Sequence, residues 1–169
     1  MGGRRGSRRH FSPERLKDLT QTAREILKTA DEPQRRSVFI SFASEDLDEV
    51  NLLRGQAKNE KSEFDFIDRS LQEPFESERA EYIKQGIRER INQSSVTLVY
   101  LSSATAESKW VDWEIRESVR LGKGVIGVYK GASPPAQLPV AIRECGAKIV
   151  PWTHEKIAEA IEQASRKRK

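Results

Sequence analysis

From residue 37 onward the sequence alternates short apolar runs with amphipathic stretches of helical period, and this alternation constrains the fold more than any other feature of the chain. Residues 37–42, 64–68, 96–101, 125–129 and 147–150 read as strands, being strand-sized, rich in β-branched and aromatic residues, and bounded by polar or glycine-bearing turns. Between them, Leu47, Val50 and Leu53 mark a helix over 46–56, and Ala80, Ile83, Ile87 and Ile91 mark a second. A third runs from about Lys109 to Leu121, with Gly122 as its C-terminal cap. A short apolar turn at residues 140–145 precedes the fifth strand. A last helix, 154–164, carries Ile157, Ala158 and Ile161. Such alternation predicts an α/β fold: a five-stranded parallel sheet with helices on both faces. Right-handed crossovers most simply give the strand order 2-1-3-4-5, with its switch point between strands one and three. The loops after residues 42 and 101 then flank one crevice, where open α/β sheets bind ligands.

Ahead of the sheet, Ser12-Pro13-Glu14 opens a helix with a hydroxyl cap, a first-turn proline and an acid at the positive end of the dipole. Leu16, Leu19, Ala23, Ile26, Leu27 and Ala30 recur at helical spacing, and the polar segment 31–34 ends the pattern. The expected organisation is a disordered basic tail at 1–11, an N-terminal amphipathic helix and linker at 12–34, a domain at 35–165, and a basic tail at 166–169.

The formal net charge of +4 suggests a nucleic-acid binder until the charges are located. Arg4, Arg5, Arg8, Arg9 and the terminal Arg-Lys-Arg-Lys place eight of the 30 basic residues in acid-free tails, leaving 22 against 26 acidic residues in the body. The tails have no interleaved aromatics, so they read as solvated ends and not as a nucleic-acid interface. No apolar run is long enough for a membrane span or a signal peptide, and the single Cys145 cannot form an internal disulfide. The expectation is a cytoplasmic protein without a membrane partner.

Trp110-Val111-Asp112-Trp113-Glu114 is the candidate active-site stretch. Glu114 has Trp110 at i−4, Val111 at i−3, Glu117 at i+3 and Ser118 at i+4, so no cation reaches it along its own helix. Asp112 has Arg116 at i+4 and reads as half of a solvated pair. A carboxylate desolvated beside an indole holds its proton more tightly than a solvated one, and such acids collect at functional sites. The bland alternative is a surface glutamate on a helix whose tryptophans serve the core.

Other motifs carry less. Gly122-Lys123-Gly124-Val125-Ile126-Gly127 matches G-x-G-x-x-G, but its glycines end a helix and enter a strand, the reverse of a dinucleotide fingerprint, so it reads as a cap and turn. Asp46 and Asp68 near the first two strand ends suggest a receiver-type phospho-acceptor, yet strand three ends in Leu101-Ser102-Ser103 and lacks the aspartate which that reading needs. Two histidines and one cysteine give no metal constellation.

Val38-Phe39-Ile40-Ser41-Phe42, Phe66-Ile67-Asp68 and Trp110-Val111-Asp112-Trp113-Glu114, in this order on these elements, resemble a Toll/interleukin-1 receptor (TIR) domain, a flavodoxin-like sheet. With Gly55-Gln56-Ala57-Lys58-Asn59, Asp68-Arg69-Ser70-Leu71 and Gly122-Lys123, the chain is most similar to the TIR-like branch of bacterial antiphage systems of the Thoeris type. The resemblance covers about residues 37–165. It implies cleavage of NAD at the nicotinamide–ribose bond, with a cyclic or conjugated ADP-ribose as signal in antiviral defence, and NAD as substrate with no permanently bound cofactor or metal. By the same resemblance Glu114 is the essential acid. Ser41, Phe42, Ala43 and Ser44 line the crevice from strand one, Asp68, Ser70 and Leu71 from the loop after strand two, and Ser103 and Trp110 complete it. Loop 69–77 is implied to mediate self-association, and a downstream effector protein is an implied partner. Two departures from the family pattern stand out: Gln72-Glu73-Pro74-Phe75 replaces a glycine-bearing turn, and the bulky Trp113 is expected to reshape the pocket.

Two other readings remain open at this point: a non-catalytic TIR-like interaction module, and a nucleoside deoxyribosyltransferase-like enzyme, since related sheets also place a glutamate after strand three.

Overall fold

The computed structural model describes residues 12–30, 36–59, 64–67 and 74–166. Residues 1–34 and 35–169 form two compact units. In the first, α1 (Pro13–Ala30) begins where the Ser12 hydroxyl accepts the Arg15 N–H at 3.4 Å, and Leu19 and Ile26 on it are exposed.

The second unit contains β1 (Arg36–Ser41), α2 (Leu47–Asn59), β2 (Phe64–Ile67), α3 (Ala80–Gln93), β3 (Val96–Leu101), α4 (Lys109–Arg120), β4 (Gly124–Tyr129), α5 (Val140–Cys145), β5 (Lys148–Pro151) and α6 (His154–Arg166). All four strand pairings are parallel, and the order is β2-β1-β3-β4-β5. Both β2 and β3 lie beside β1, and their crossovers leave in opposite directions, which puts the topological switch point at the C-terminal ends of β1 and β3.

The period-two alternation assigns side chains to the two faces. Val38, Ile40 and Phe42 of the first strand segment join Val96, Leu98 and Tyr100 of β3 in a core covered by α2 and α6. Phe39 points the other way, toward Ile83, Ile87 and Ile91 of α3, while Val99 and Leu101 meet Val111, Ile115, Ala141 and Ile142 of α4 and α5. The sheet thus has helices on both faces. Boundaries differ from the sequence expectation where local chemistry intervenes. A one-turn 3-10 helix, Ser44–Asp46, precedes α2, and the expected apolar turn at 140–145 is the helix α5, ended by Gly146 in the left-handed region at φ 63°. The fifth strand is shifted one residue later because Pro151 pairs with Tyr129 and Trp152 N–H then donates to Tyr129 O at 2.8 Å. Among the described residues no helix is long and apolar enough to cross a membrane.

The glycine string also has a packing explanation. Gly122 takes φ 71° just after α4, where its N–H bonds to Val119 O at 3.0 Å. Gly124 begins β4 against the last turn of α6: a Cβ there would press into the Ala164 carbonyl and come within 2.9 Å of its Cβ. In contrast, Gly86 in the middle of α3 has no atom within 4 Å of the position a Cβ would take.

Helices α3 and α4 are joined by a carboxylate. Glu117, 6% exposed, accepts from Arg88 Nε at 2.9 Å and from Arg120 Nε at 3.1 Å and Nη2 at 2.5 Å. The Arg120 hydrogen bonds lower its pKa most, burial opposes them, and Arg88 lowers it further, so the acid sits below its ordinary 4.5.

Two stability outcomes are expected in denaturant unfolding. Gly124→Ala costs about 1–3 kcal/mol through overpacking against backbone, whereas Gly86→Ala stabilises by roughly 0.5–1 kcal/mol through helix propensity. Because the folded-state pKa of Glu117 is depressed, its contribution is full above pH 4.5 and is lost as pH falls through the lower folded value. Glu117→Gln is therefore less stable than wild type at neutral pH by about 1–2 kcal/mol, and the two converge in acid.

Candidate functional site

The site is built where α4 crosses under the end of β1. Ser108 caps α4, its Oγ accepting Val111 N–H at 3.3 Å, which fixes the rotation of the first turn. Val111, Glu114, Ile115 and Ser118 then fall on the inward stripe of the helix and are buried. Glu114 thus occupies a position where the helical pattern calls for an apolar side chain, and it has no exposed surface. On β1, Ser41 is likewise fully buried and faces the same side of the sheet as Phe39. Ser41 Oγ donates to Glu114 Oε2 at 2.5 Å, a buried side-chain contact between residues 73 apart in sequence.

A second pair of hydroxyls backs this contact. Ser118 Oγ donates to the Glu114 carbonyl at 2.7 Å and lies 2.8 Å from Thr97 Oγ1 on β3. Polar groups from β1, β3 and α4 are therefore linked within an otherwise apolar layer. A polar side chain costs several kcal/mol in such a place unless hydrogen-bonded, so the presence of a carboxyl group calls for a role beyond packing.

Trp110 stands edge-on to Phe75, with centroids 4.9 Å apart, and to Trp113 at 6.0 Å, and both indoles pack on the Phe39, Ile83, Ile87 and Ile91 cluster. Trp113, expected to reshape the pocket, is turned toward α3, with Lys84 Nζ at 5.7 Å and Arg88 Cζ at 5.4 Å from its ring centroid. Asp112 makes the expected pair with Arg116 at 2.8 Å, and its Oδ1 also accepts Ala141 N–H at 3.3 Å, capping α5. Of the other crevice residues, Phe42 points into the opposite core beneath Arg54, Ala43 is buried with its carbonyl on Asp46 N–H at 2.9 Å, and Ser44 and Ser103 are exposed. Asp68, Ser70 and Leu71, and loop positions 69–73, lie outside the described residues.

One element of the site is absent from the sequence reading. Ser102 Oγ donates to Asp46 Oδ2 at 2.6 Å, and Thr105 Oγ1 accepts Ser102 N–H at 2.8 Å and donates to Tyr100 O at 2.9 Å. The first bond ties the loop after β1 to the loop after β3, and the other two brace the β3 loop itself. Burial raises the Asp46 pKa, the Ser102 hydrogen bond opposes that rise, and neighbouring Glu45 adds to it. Ser102 and Thr105, a hydroxyl pair three residues apart just past a strand, were the available signal. Among the described residues no group of three or more His, Cys, Asp or Glu is placed to hold a metal ion.

Against this geometry, residues 39–134 match the family model described as "Thoeris protein ThsB, TIR-like domain", a span of more than half the chain. A curated relative from Bacillus cereus (strain MSX-D12), named "Putative cyclic ADP-D-ribose synthase ThsB1", is 32% identical over 101 residues, covering 57% of this chain and 53% of the relative. The chain thus spans about half the length of that relative. Among solved structures, the TIR domain of a Toll-related receptor from Hydra magnipapillata is 16% identical, with 75% of this chain and 91% of that one covered at a TM-score of 0.48. A CMP N-glycosidase from Clostridium botulinum is 10% identical, with 75% and 99% covered at 0.43. These last two likenesses are too distant to bear on the chemistry. The family match rests on the segment that carries the end of β1, β3, Ser41 and Glu114, and the chain belongs to the TIR-like domain family of the Thoeris protein ThsB.

Proposed function

We propose that this chain consumes NAD, breaking the nicotinamide–ribose bond and closing the ADP-ribose into a cyclic product that serves as a signal in antiviral defence. The observation that carries the reading is the buried Ser41–Glu114 hydrogen bond beneath the β1/β3 switch point. The name of the Bacillus cereus relative supports the same product class.

In this chemistry the C1′–N bond breaks with its electron pair leaving on nicotinamide, and the ribose becomes oxocarbenium-like. A fixed carboxylate stabilises that charge as it develops, and it needs no reorganisation at the moment of reaction. Ser41 supplies the fixing by holding Glu114 Oε2. A dry setting strengthens the interaction and disfavours capture by water, leaving a nucleophilic atom of the substrate's own ADP moiety to attack C1′ and close the ring with loss of a proton. Since Glu114 has no exposed surface, substrate reaches it only when the crevice opens. An assembled form, with loop 69–77 engaged between copies, is the natural state for that opening. Asp46 and Ser102 hold the two loops that border the entrance.

Nicotinamide release from NAD by a concentrated, assembled sample tests the reading. Glu114→Gln is expected to lower the rate by about 10²–10³-fold, the usual cost of one charge-stabilising group. The variant should remain at least as stable as wild type, because an amide in that position is less costly to bury than a carboxylate. Ser41→Ala is expected to lose about 10–100-fold, with chromatography still giving the cyclic product. Wild-type protein that releases no nicotinamide in any assembled state, or Glu114→Gln that releases it at the wild-type rate, would leave an interaction module as the better description.

A further inference from the structure

At the C-terminal ends of β4 and β5 the chain encloses an open cavity of about 450 Å³, lined by Leu52, Gln56, Lys130, Pro151, Trp152 and His154 among others. It lies on the other face of the sheet from Glu114. Tyr100 and Trp152 belong to the core layer covered by α2 and α6, whereas Glu114 is carried by α4 on the opposite side.

Trp152 is held in place from three directions. Its Nε1–H donates to Gln56 Oε1 at 2.7 Å, its ring stands edge-on to Tyr100 with centroids 5.8 Å apart, and its backbone N–H is bound by Tyr129 O at 2.8 Å. An indole fixed in this way offers a π surface with little rotamer entropy left to lose. The Gln56 oxygen is taken up by the indole, which leaves its NH2 as the donor the side chain can offer a ligand. Lys130 Nζ lies 5.8 Å from the Trp152 ring centroid and 2.7 Å from Glu49 Oε2. Gly131, at φ 107°, bends the chain immediately after Lys130 in a conformation that a side chain would strain.

An aromatic wall, the aliphatic surfaces of Leu52 and Pro151, and the two donors Lys130 and Gln56 in the lining suit a ligand with a flat ring and an anion. The volume is within the range of small-molecule sites. We propose that this cavity is a second binding site, taking a nucleoside phosphate whose base stacks on Trp152 and whose phosphate is met by Lys130 and Gln56. Glu49 shares Lys130 with the incoming phosphate, so affinity is moderate and falls with salt. Occupancy does not depend on NAD cleavage at Glu114.

The test is titration of the full chain with AMP, following the tryptophan indole N–H resonances by NMR, with adenosine, ribose 5-phosphate and inorganic phosphate as separate arms. The indole resonance that disappears in Trp152→Leu is expected to shift saturably with AMP, and adenosine to bind at least about tenfold more weakly for want of the charged contact. Lys130→Ala should weaken AMP by a similar factor. Gln56→Glu, which keeps an acceptor for the indole but sets a carboxylate beside the phosphate, should weaken it further, and Glu114→Gln should bind as wild type. The proposal fails if AMP leaves the Trp152 resonance unmoved, if Lys130→Ala and Gln56→Glu bind as tightly as wild type, if inorganic phosphate alone reproduces the shift, or if Glu114→Gln abolishes binding.

Discussion

A single hydrogen bond, from Ser41 Oγ to Glu114 Oε2 at 2.5 Å, joins the first strand of the sheet to the helix that follows the third. On its account a carboxylate remains in a layer where Val111 and Ile115, its neighbours on the same stripe, are fully buried. Its energetics are asymmetric. With the bond made, the burial of the carboxyl group is partly compensated; with the hydroxyl removed, that group stays buried without this partner at a cost of about 1–3 kcal/mol. A leucine at position 114 would serve packing better. The polar pair therefore belongs to the class of local violations that proteins keep at working sites, and the surrounding fold supplies the stability that the violation removes.

That support has identifiable parts. Glu117, one turn along α4, is clamped by Arg88 from α3 and by Arg120 from its own helix, so α4 cannot slide along α3 without breaking charge-assisted bonds. Ser118 and Thr97 tie the same helix to β3. Asp46 and Ser102 hold the loops on the far rim of the crevice. The acid is fixed from below by α4 and from the side by β1. This arrangement holds the carboxylate in one geometry without relying on a ligand to order it.

Much of the sheet was legible because strands of period two and helices of period 3.6 leave different apolar patterns, and five of one alternating with the other leaves few parallel topologies. Edges were less legible. The end of the fifth strand depends on Trp152 N–H reaching Tyr129 O, a contact across strands that no local pattern encodes. Glu114 was legible as an acid without a cation on its own helix, and Ser41 as a residue at the end of the first strand. Their bond was not, since it links positions 73 apart. The placement of Phe42 beside Ser41 in one crevice overlooked the alternation itself, because neighbouring strand residues face opposite ways and Phe42 belongs to the α2 side. Trp113 shows the same effect on a helix: one residue before Glu114, it is rotated about 100° and meets α3 instead of the acid. The Asp46–Ser102 bond was hidden for the same reason as the Ser41–Glu114 bond, being long-range and polar.

The central claim is that Ser41 acts through Glu114 and not independently of it. A double-mutant cycle on kcat/KM for NAD, with Ser41→Ala, Glu114→Gln and the two combined, measures this directly. If Ser41 serves only to fix the carboxylate, the double variant is no slower than Glu114→Gln alone, because nothing remains for the hydroxyl to position. If the two losses instead multiply, Ser41 and Glu114 contribute separately, and the buried hydrogen bond is not the device on which the site depends.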